Sequence, residues 1–272
     1  MTHQGDQLDT PSREKLLRIT YVGHATLLIE LAGSRFLTDP NFDSRLGWIL
    51  PRVSLPGIPI AELPRLDALL LTHAHADHLS FPSLEALPRT VPLYAPPAVA
   101  RWLQRLGFSH AEALPSGSQI TVGSVNITAA TAKHLGSRYG IDRWRKAANM
   151  YLLDTNDVSC LFVGDTALDS DALVLVESCL HSRNRELDVA LLPIGHAPWW
   201  KLGFRSGHLT ASDALSLFAK LRARYFIPYH WGTFHHVTSR AHDAIDQLRA
   251  QLPLYPRSDA VKILEPGAIF EL

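Results

Sequence analysis

Apolar and β-branched residues run from Leu17 to Val22 (LRITYV) and from Ala25 to Leu31 (ATLLIEL), broken at Gly23, and both stretches read as strands. A turn at Ala32-Gly33-Ser34 separates them from a third short strand, Arg35 to Thr38, so the chain opens as a meander that leads into Asp39-Pro40. Asp67 to Thr72 (DALLLT) is a continuous apolar run, the pattern of a strand covered on both faces. Further strands are predicted at 120–122, 125–130, 149–153, 158–163, 187–192 and 225–228. Helices are predicted at 97–106, 210–223 and 240–251, the last two from apolar residues spaced three and four apart. A further helix is expected to start near Pro82, a residue suited to a first helical turn, with Glu85 close behind. Residues 43–64, with Pro51, Pro56, Pro59 and Pro64, read as a long loop, and loops of that length are uncommon without a role. Strands followed by helices in both halves predict an α/β fold, a four-layer αββα sandwich. The expected organisation is a loose polar tail over 1–16 and a single domain over 17–272.

A chain of 272 residues that is 46% hydrophobic buries a sizeable core. Its formal net charge is zero, which gives no general attraction to nucleic acid or to an anionic membrane surface. Cys160 and Cys179, the two cysteines, lie in apolar segments and read as buried reduced thiols, which suits a reducing compartment. The polar opening has no signal-peptide pattern, and no apolar run reaches the ~18 residues of a membrane span. A cytoplasmic location is expected, and an oligomer is left open. The fourteen histidines are the unusual count.

They concentrate in Thr72-His73-Ala74-His75-Ala76-Asp77-His78. In extended backbone, residues two apart point the same way, so His73 and His75 can share one metal. Asp77 and His78 are neighbours whose side chains diverge, which lets them reach a second. Imidazole with carboxylate suits zinc, and also iron or manganese. Two metals need more donors, and three stand at the ends of predicted strands: His134, Asp165 and His230. Each follows a hydrophobic run that delivers one polar residue at its tip.

The set THAHADH, His134, GDT at 164–166 and His230 resembles the metallo-β-lactamase superfamily. YVGHATLLIE, FLTDP, FVGDT, LLPIG and HWGTF are similar to the branch that holds N-acyl-phosphatidylethanolamine phospholipase D and the ascorbate-6-phosphate lactonases. The resemblance runs from Ile19 to Phe234. It implies a hydrolase with two divalent ions, zinc first, in which His73, His75 and His134 bind one ion. Asp77, His78 and His230 bind the other, and Asp165 bridges them. A metal-bound hydroxide would be the nucleophile, with Asp77 orienting it and His208 donating to the substrate or leaving group. The motif departs from the phospholipase at Gly207, before His208. The expected substrate is a phosphodiester of a small molecule or lipid. A sugar-phosphate lactone is the alternative, and a non-enzymatic member of the fold is a further one.

His24 is expected to be buried and hydrogen-bonded behind the ligands. Asp39, Asp67 and Asp188 are expected to brace strand ends. His110, His181, His235, His236 and His242 read as surface residues, and Arg143 to Lys146 as a solvated basic turn. The apolar loop from Leu46 to Pro64 and the pair Trp199-Trp200 after Pro198 either wall a substrate pocket or pack on each other.

Overall fold

A computed structural model describes residues 16–47, 50–139, 142, 144, 146–169, 171–195, 203–235 and 239–272. The predicted meander is present as β1 (Leu17–Gly23), β2 (Thr26–Leu31) and β3 (Ser34–Thr38), joined antiparallel. Within the proline-rich stretch a two-residue hairpin pairs β4 (Arg45–Leu46) with β5 (Leu50–Pro51). The apolar run at 67–72 forms β6 (Ala68–Leu70), parallel to β3, and α1 (Phe81–Ala86) follows with Pro82 in its first turn and Ser80 capping Ser83 N. Next come β7 (Leu93–Ala95), α2 (Pro97–Arg105) and β8 (Ala111–Ala113).

The second half supplies β9 (Gln119–Val122), β10 (Val125–Thr131), β11 (Asn149–Asp154) and β12 (Ser159–Phe162). It continues with α3 (Ala172–Cys179), β13 (Val189–Pro193), α4 (Ala211–Leu221), β14 (Tyr225–Tyr229), α5 (Asp243–Gln251) and β15 (Ile269–Glu271). Seven strands form one sheet in the order β15-β1-β2-β3-β6-β7-β8, and six form the other as β14-β13-β12-β11-β10-β9.

Strand periodicity explains the layers. In the first sheet Ile19, Leu27, Ile29, Phe36 and Leu70 turn towards the second sheet and share a core with Ile127, Met150 and Leu152. Their neighbours Leu28, Leu37, Leu69 and Leu71 point the other way and pack under Leu84 of α1 and Val99 and Leu103 of α2. The second sheet is covered by α3, α4 and α5 through Val176, Leu217, Phe218 and Ile245. The architecture is the expected αββα sandwich. Five strands lie outside the sequence reading: β4 and β5, two residues each within the expected loop, and β7, β8 and β15, three residues each, carry no alternation long enough to register. Among the described residues no helix is long and apolar enough to cross a membrane.

Candidate metal centre

Loops at one end of the two sheets bring together His73, His75, Asp77, His78, His134, Asp165 and His230. The first sheet supplies the initial four. Thr72, just past β6, donates from its N and Oγ1 to the two carboxylate oxygens of Asp39 at 2.7 and 2.6 Å. Asp39 follows the neighbouring parallel strand β3, so two adjacent strand tips are locked together. Because the Thr72 hydroxyl spends its proton on Asp39, it accepts from His73 Nδ1–H at 2.9 Å, and His73 Nε2 keeps its lone pair. Asp39 Oδ2 also accepts from His78 Nδ1 at 2.7 Å, which turns His78 Nε2 into the site. Asp39 therefore braces, as do Asp67, which accepts from Arg35 N, and Asp188, which accepts from Ser159 N.

The second sheet supplies the rest. His134 Nδ1–H donates to Gly207 O at 2.8 Å and leaves Nε2 3.0 Å from His75 Nδ1. Gly207 suits this contact: a Cβ there would stand 3.1 Å from His134 Nδ1. Beyond β12 the chain turns sharply at Gly164, whose φ of +60° a side chain would strain, and this aims Asp165 inwards. His230 follows β14 with φ +70° and is held by its N–H on His24 O at 2.9 Å.

Two groups of donor atoms result, each within 4.8 Å of one another: His73, His75, His134 and Asp165, and His24, Asp77, His78 and His230. Asp165 lies between them. Its Oδ2 is 3.4 Å from His78 Nε2 and 4.0 Å from His134 Nε2, and its Oδ1 is 3.4 Å from His230 Nε2. Buried His73 Nε2, His78 Nε2, His230 Nε2 and Asp165 Oδ1 have no hydrogen-bond partner. Buried polar atoms in proteins are usually paired, so four orphans that converge on one place fit a cation that completes them.

Electrostatics agree with that fit. Burial and the neighbouring imidazoles hold His73 well below the usual histidine range. Burial, opposed by Asp165, brings His134 down to about 4, and burial with the His230 imidazole brings His24 to about 3. Burial alone would raise Asp77 and Asp165. The facing imidazoles outweigh it and hold both carboxyls well below the carboxylate range. Burial likewise disfavours charge on His78, yet Asp165, Asp77 and Asp39 outweigh it and hold that ring well above the ordinary value. The neutral His73, His134 and His24 and the ionised carboxylates are in the states a metal takes, whereas His78 must release its proton when an ion binds.

The residues from Ser34 to Trp231 match the model of the beta-lactamase superfamily domain. The chain belongs to this family. The matched stretch contains all seven clustered residues. A UPF0173 metal-dependent hydrolase of Exiguobacterium is 29% identical over 248 residues, 91% of this superfamily member and 100% of the relative. An N-acyl-phosphatidylethanolamine-hydrolyzing phospholipase D of Caenorhabditis elegans is 26% identical over 239 residues, 81% of this chain and 65% of that longer protein. Among solved structures, an isothiocyanate hydrolase from Delia radicum gut bacteria superposes with a TM-score of 0.73 at 20% identity, over 94% of this chain and 100% of that one.

The remaining candidates surround the cluster. In this superfamily member His208 Nε2 is 3.5 Å from Asp165 Oδ2, with its side chain 31% exposed, at the edge of the first donor group. Trp199 and Trp200 lie outside the described residues, as do His196, His236, Arg143, Arg145 and the tail. His24 is buried, and its Nε2 is 3.0 Å from Asp77 Oδ2, a closer involvement than its sequence context announced. A cleft of about 620 Å³, including open solvent at its mouth, leads away from Asp77 and His230. Leu46, Leu50, Ile194 and Phe234 wall it, and His235 and Arg240 line it as well. Sequence reasoning placed His235 on the surface, where it is exposed, but did not place it at the cleft, and it passed over Arg240. The signal for His235 was its closeness to His230 in the run HWGTFH.

Proposed function

We propose that this chain is a metal-dependent hydrolase that uses two divalent ions, zinc first, to cleave a phosphodiester carrying an apolar substituent. One observation carries the reading: two adjoining His/Asp donor groups have orphaned atoms aimed inwards, and Asp77 and His230 of the second group line a cleft walled by Leu46, Leu50, Ile194 and Phe234. The similarity to a phospholipase D and to named metal-dependent hydrolases supports it.

His73, His75 and His134 would hold one ion and Asp77, His78 and His230 the other, with Asp165 placed between the two groups. When bound, the pair of ions supplies Lewis acidity and brings the pKa of water towards 7. The chain's own groups do the rest. Asp77, ionised and lining the cleft, accepts a hydrogen bond from the attacking water and so orients it. His24 Nε2–H on Asp77 Oδ2 fixes which way that carboxylate faces. His208, partly exposed at the edge of the cluster, donates to the leaving oxygen. The apolar walls hold the substituent and keep bulk water from it. We assign Trp199 and Trp200 to the same substituent on sequence alone, as an apolar pair after Pro198.

The test is a screen of metal-loaded protein on a long-chain phosphodiester, a small activated diester, a sugar-phosphate lactone and a β-lactam. The long-chain diester should give the highest kcat/KM. Trp199→Ala should raise KM for it while hardly changing the small diester, because lost uniform binding appears in KM. A higher rate on the lactone than on either diester transfers the assignment to a lactonase. The exposed Arg240 at the cleft favours that second reading.

A further inference from the structure

The cleft beside Asp77 and His230 has a second, polar end. His24 at its base is buried, whereas His235 and Arg240 at its lining are exposed, so the polar end faces solvent. Three donors gather there: the Arg240 guanidinium, the Ser239 hydroxyl and the His235 ring. The tautomer of His235 follows from its partner. Ala241 N–H donates to Nδ1 at 3.3 Å, so Nδ1 is an acceptor and the ring proton sits on Nε2. Arg240 makes no ion pair among the described residues. The nearest carboxylate in sequence, Asp243, uses Oδ2 to accept from Arg240 N at 2.8 Å and caps the turn into α5. Among the described residues, Asp77 is the lone carboxylate lining the cleft, and it belongs to the metal cluster. The adjoining stretches 196–202 and 236–238 contain no Asp or Glu.

A cation left without a carboxylate, beside two neutral donors and at the open end of an apolar cleft, is arranged for an anion that arrives with the substrate. We propose that His235, Ser239 and Arg240 form an anion subsite for a carboxylate or phosphate monoester at the far end of the substrate, separated by an apolar spacer from the bond cleaved at the metals. The subsite selects among substrates and takes no part in bond breaking. Its placement relative to the scissile bond rests on the hydrolase reading above. The subsite lies outside the stretch of Ser34 to Trp231 that matches the family model.

Matched substrates test it. A series of 4-nitrophenyl alkyl phosphodiesters has the distal end of a six-carbon arm as carboxylate, phosphate, carboxamide or amine. The wild type should favour the two anionic arms over the carboxamide by about fivefold in KM, the scale of one exposed ion pair with supporting hydrogen bonds. Arg240→Gln should bring that ratio close to one, Arg240→Lys should retain part of it, and Arg240→Glu should shift the preference to the amine. A merely structural role would not invert the preference. Equal KM for all arms in the wild type, or an unchanged ratio in Arg240→Gln, overturns the subsite. Preference for only one of the two anions identifies which source it takes. Should no diester be cleaved, the hydrolase reading fails by itself. Calorimetric titration of the metal-loaded protein with hexanoate, hexyl phosphate and hexanamide then decides the subsite: binding of an anion lost in Arg240→Gln supports it, and no anion binding overturns it.

Discussion

At the residue scale the centre separates into groups that would bind metal and groups that act beside it. His73 has its Nδ1 spent on Thr72 and its Nε2 buried and unpaired, so His73→Ala removes a donor nothing else can replace. Metal content and activity should fall together. His208 sits at the edge with a partly exposed ring, and His208→Ala should keep metal content near wild type while turnover drops about 10²-fold or more, the usual scale for a lost general acid. Elemental analysis beside steady-state rates checks both, and loss of a metal in His208→Ala would make it a ligand. Protonation gives a third expectation, for the chelator-treated protein. His134 and His24 have folded values of about 4 and about 3, below the ~6.5 of an unfolded histidine. Between those limits the unfolded chain holds protons that the folded chain refuses, so stability falls as pH falls, by up to about 1.4 kcal/mol per unit for each group. His78 has the opposite sign: its raised folded value favours folding below ~6.5, and that gain is lost as pH rises through it. With His73 and His75 also lowered, the depressed histidines outnumber it. Urea midpoints should drop from pH 6.5 to 4.5, and a rise would contradict the balance.

At the element scale, strand tips do the positioning. The runs DALLLT, CLFVGD and FIPYH were legible because a buried strand needs unbroken apolar residues, so a polar residue at its end stands out. The brackets behind those tips were harder to read. Gly207 O under His134 and Thr72 between His73 and Asp39 are contacts across loops, and no spacing in the sequence announces them. The strands β7, β8 and β15 escaped for a related reason: each is held by its neighbour's hydrogen bonds rather than by a pattern of its own. Close approach between elements yields a further prediction. A Cβ on Gly136 would stand 2.6 Å from Ala147 O and 2.8 Å from His73 Cβ, so Gly136→Ala must displace either backbone or a ligand. It should cost metal affinity at least tenfold, read by competition with a chromophoric chelator. The cap of α4 gives a milder case. Thr210 Oγ1 and Asp213 form a reciprocal capping box, with Arg205 also on Asp213. Thr210→Ala should cost about 1 kcal/mol, visible as a lower Tm.

At the scale of the whole molecule, seven ligand-type side chains around two points call for close to two ions per chain, and reconstitution that consistently yields none would remove the basis of the proposed function. The layered fold and the cluster were both expected from the sequence. The cleft was expected in part, since Leu46 and Leu50 line it as the apolar loop suggested, while the contributions of Phe234, His235, Ser239 and Arg240 emerged only from packing. One feature of the architecture reaches further. Asp39 and the residues from His73 to His78 hang from one sheet, whereas His134, Asp165 and His230 hang from the other. The ions would therefore rivet the two leaves of the sandwich at one rim, and the affinity for metal becomes a strain gauge for their alignment. A cavity cut between the leaves, at Phe36 or Met150, neither of them a ligand, would register there as faster escape of metal before it registered as unfolding.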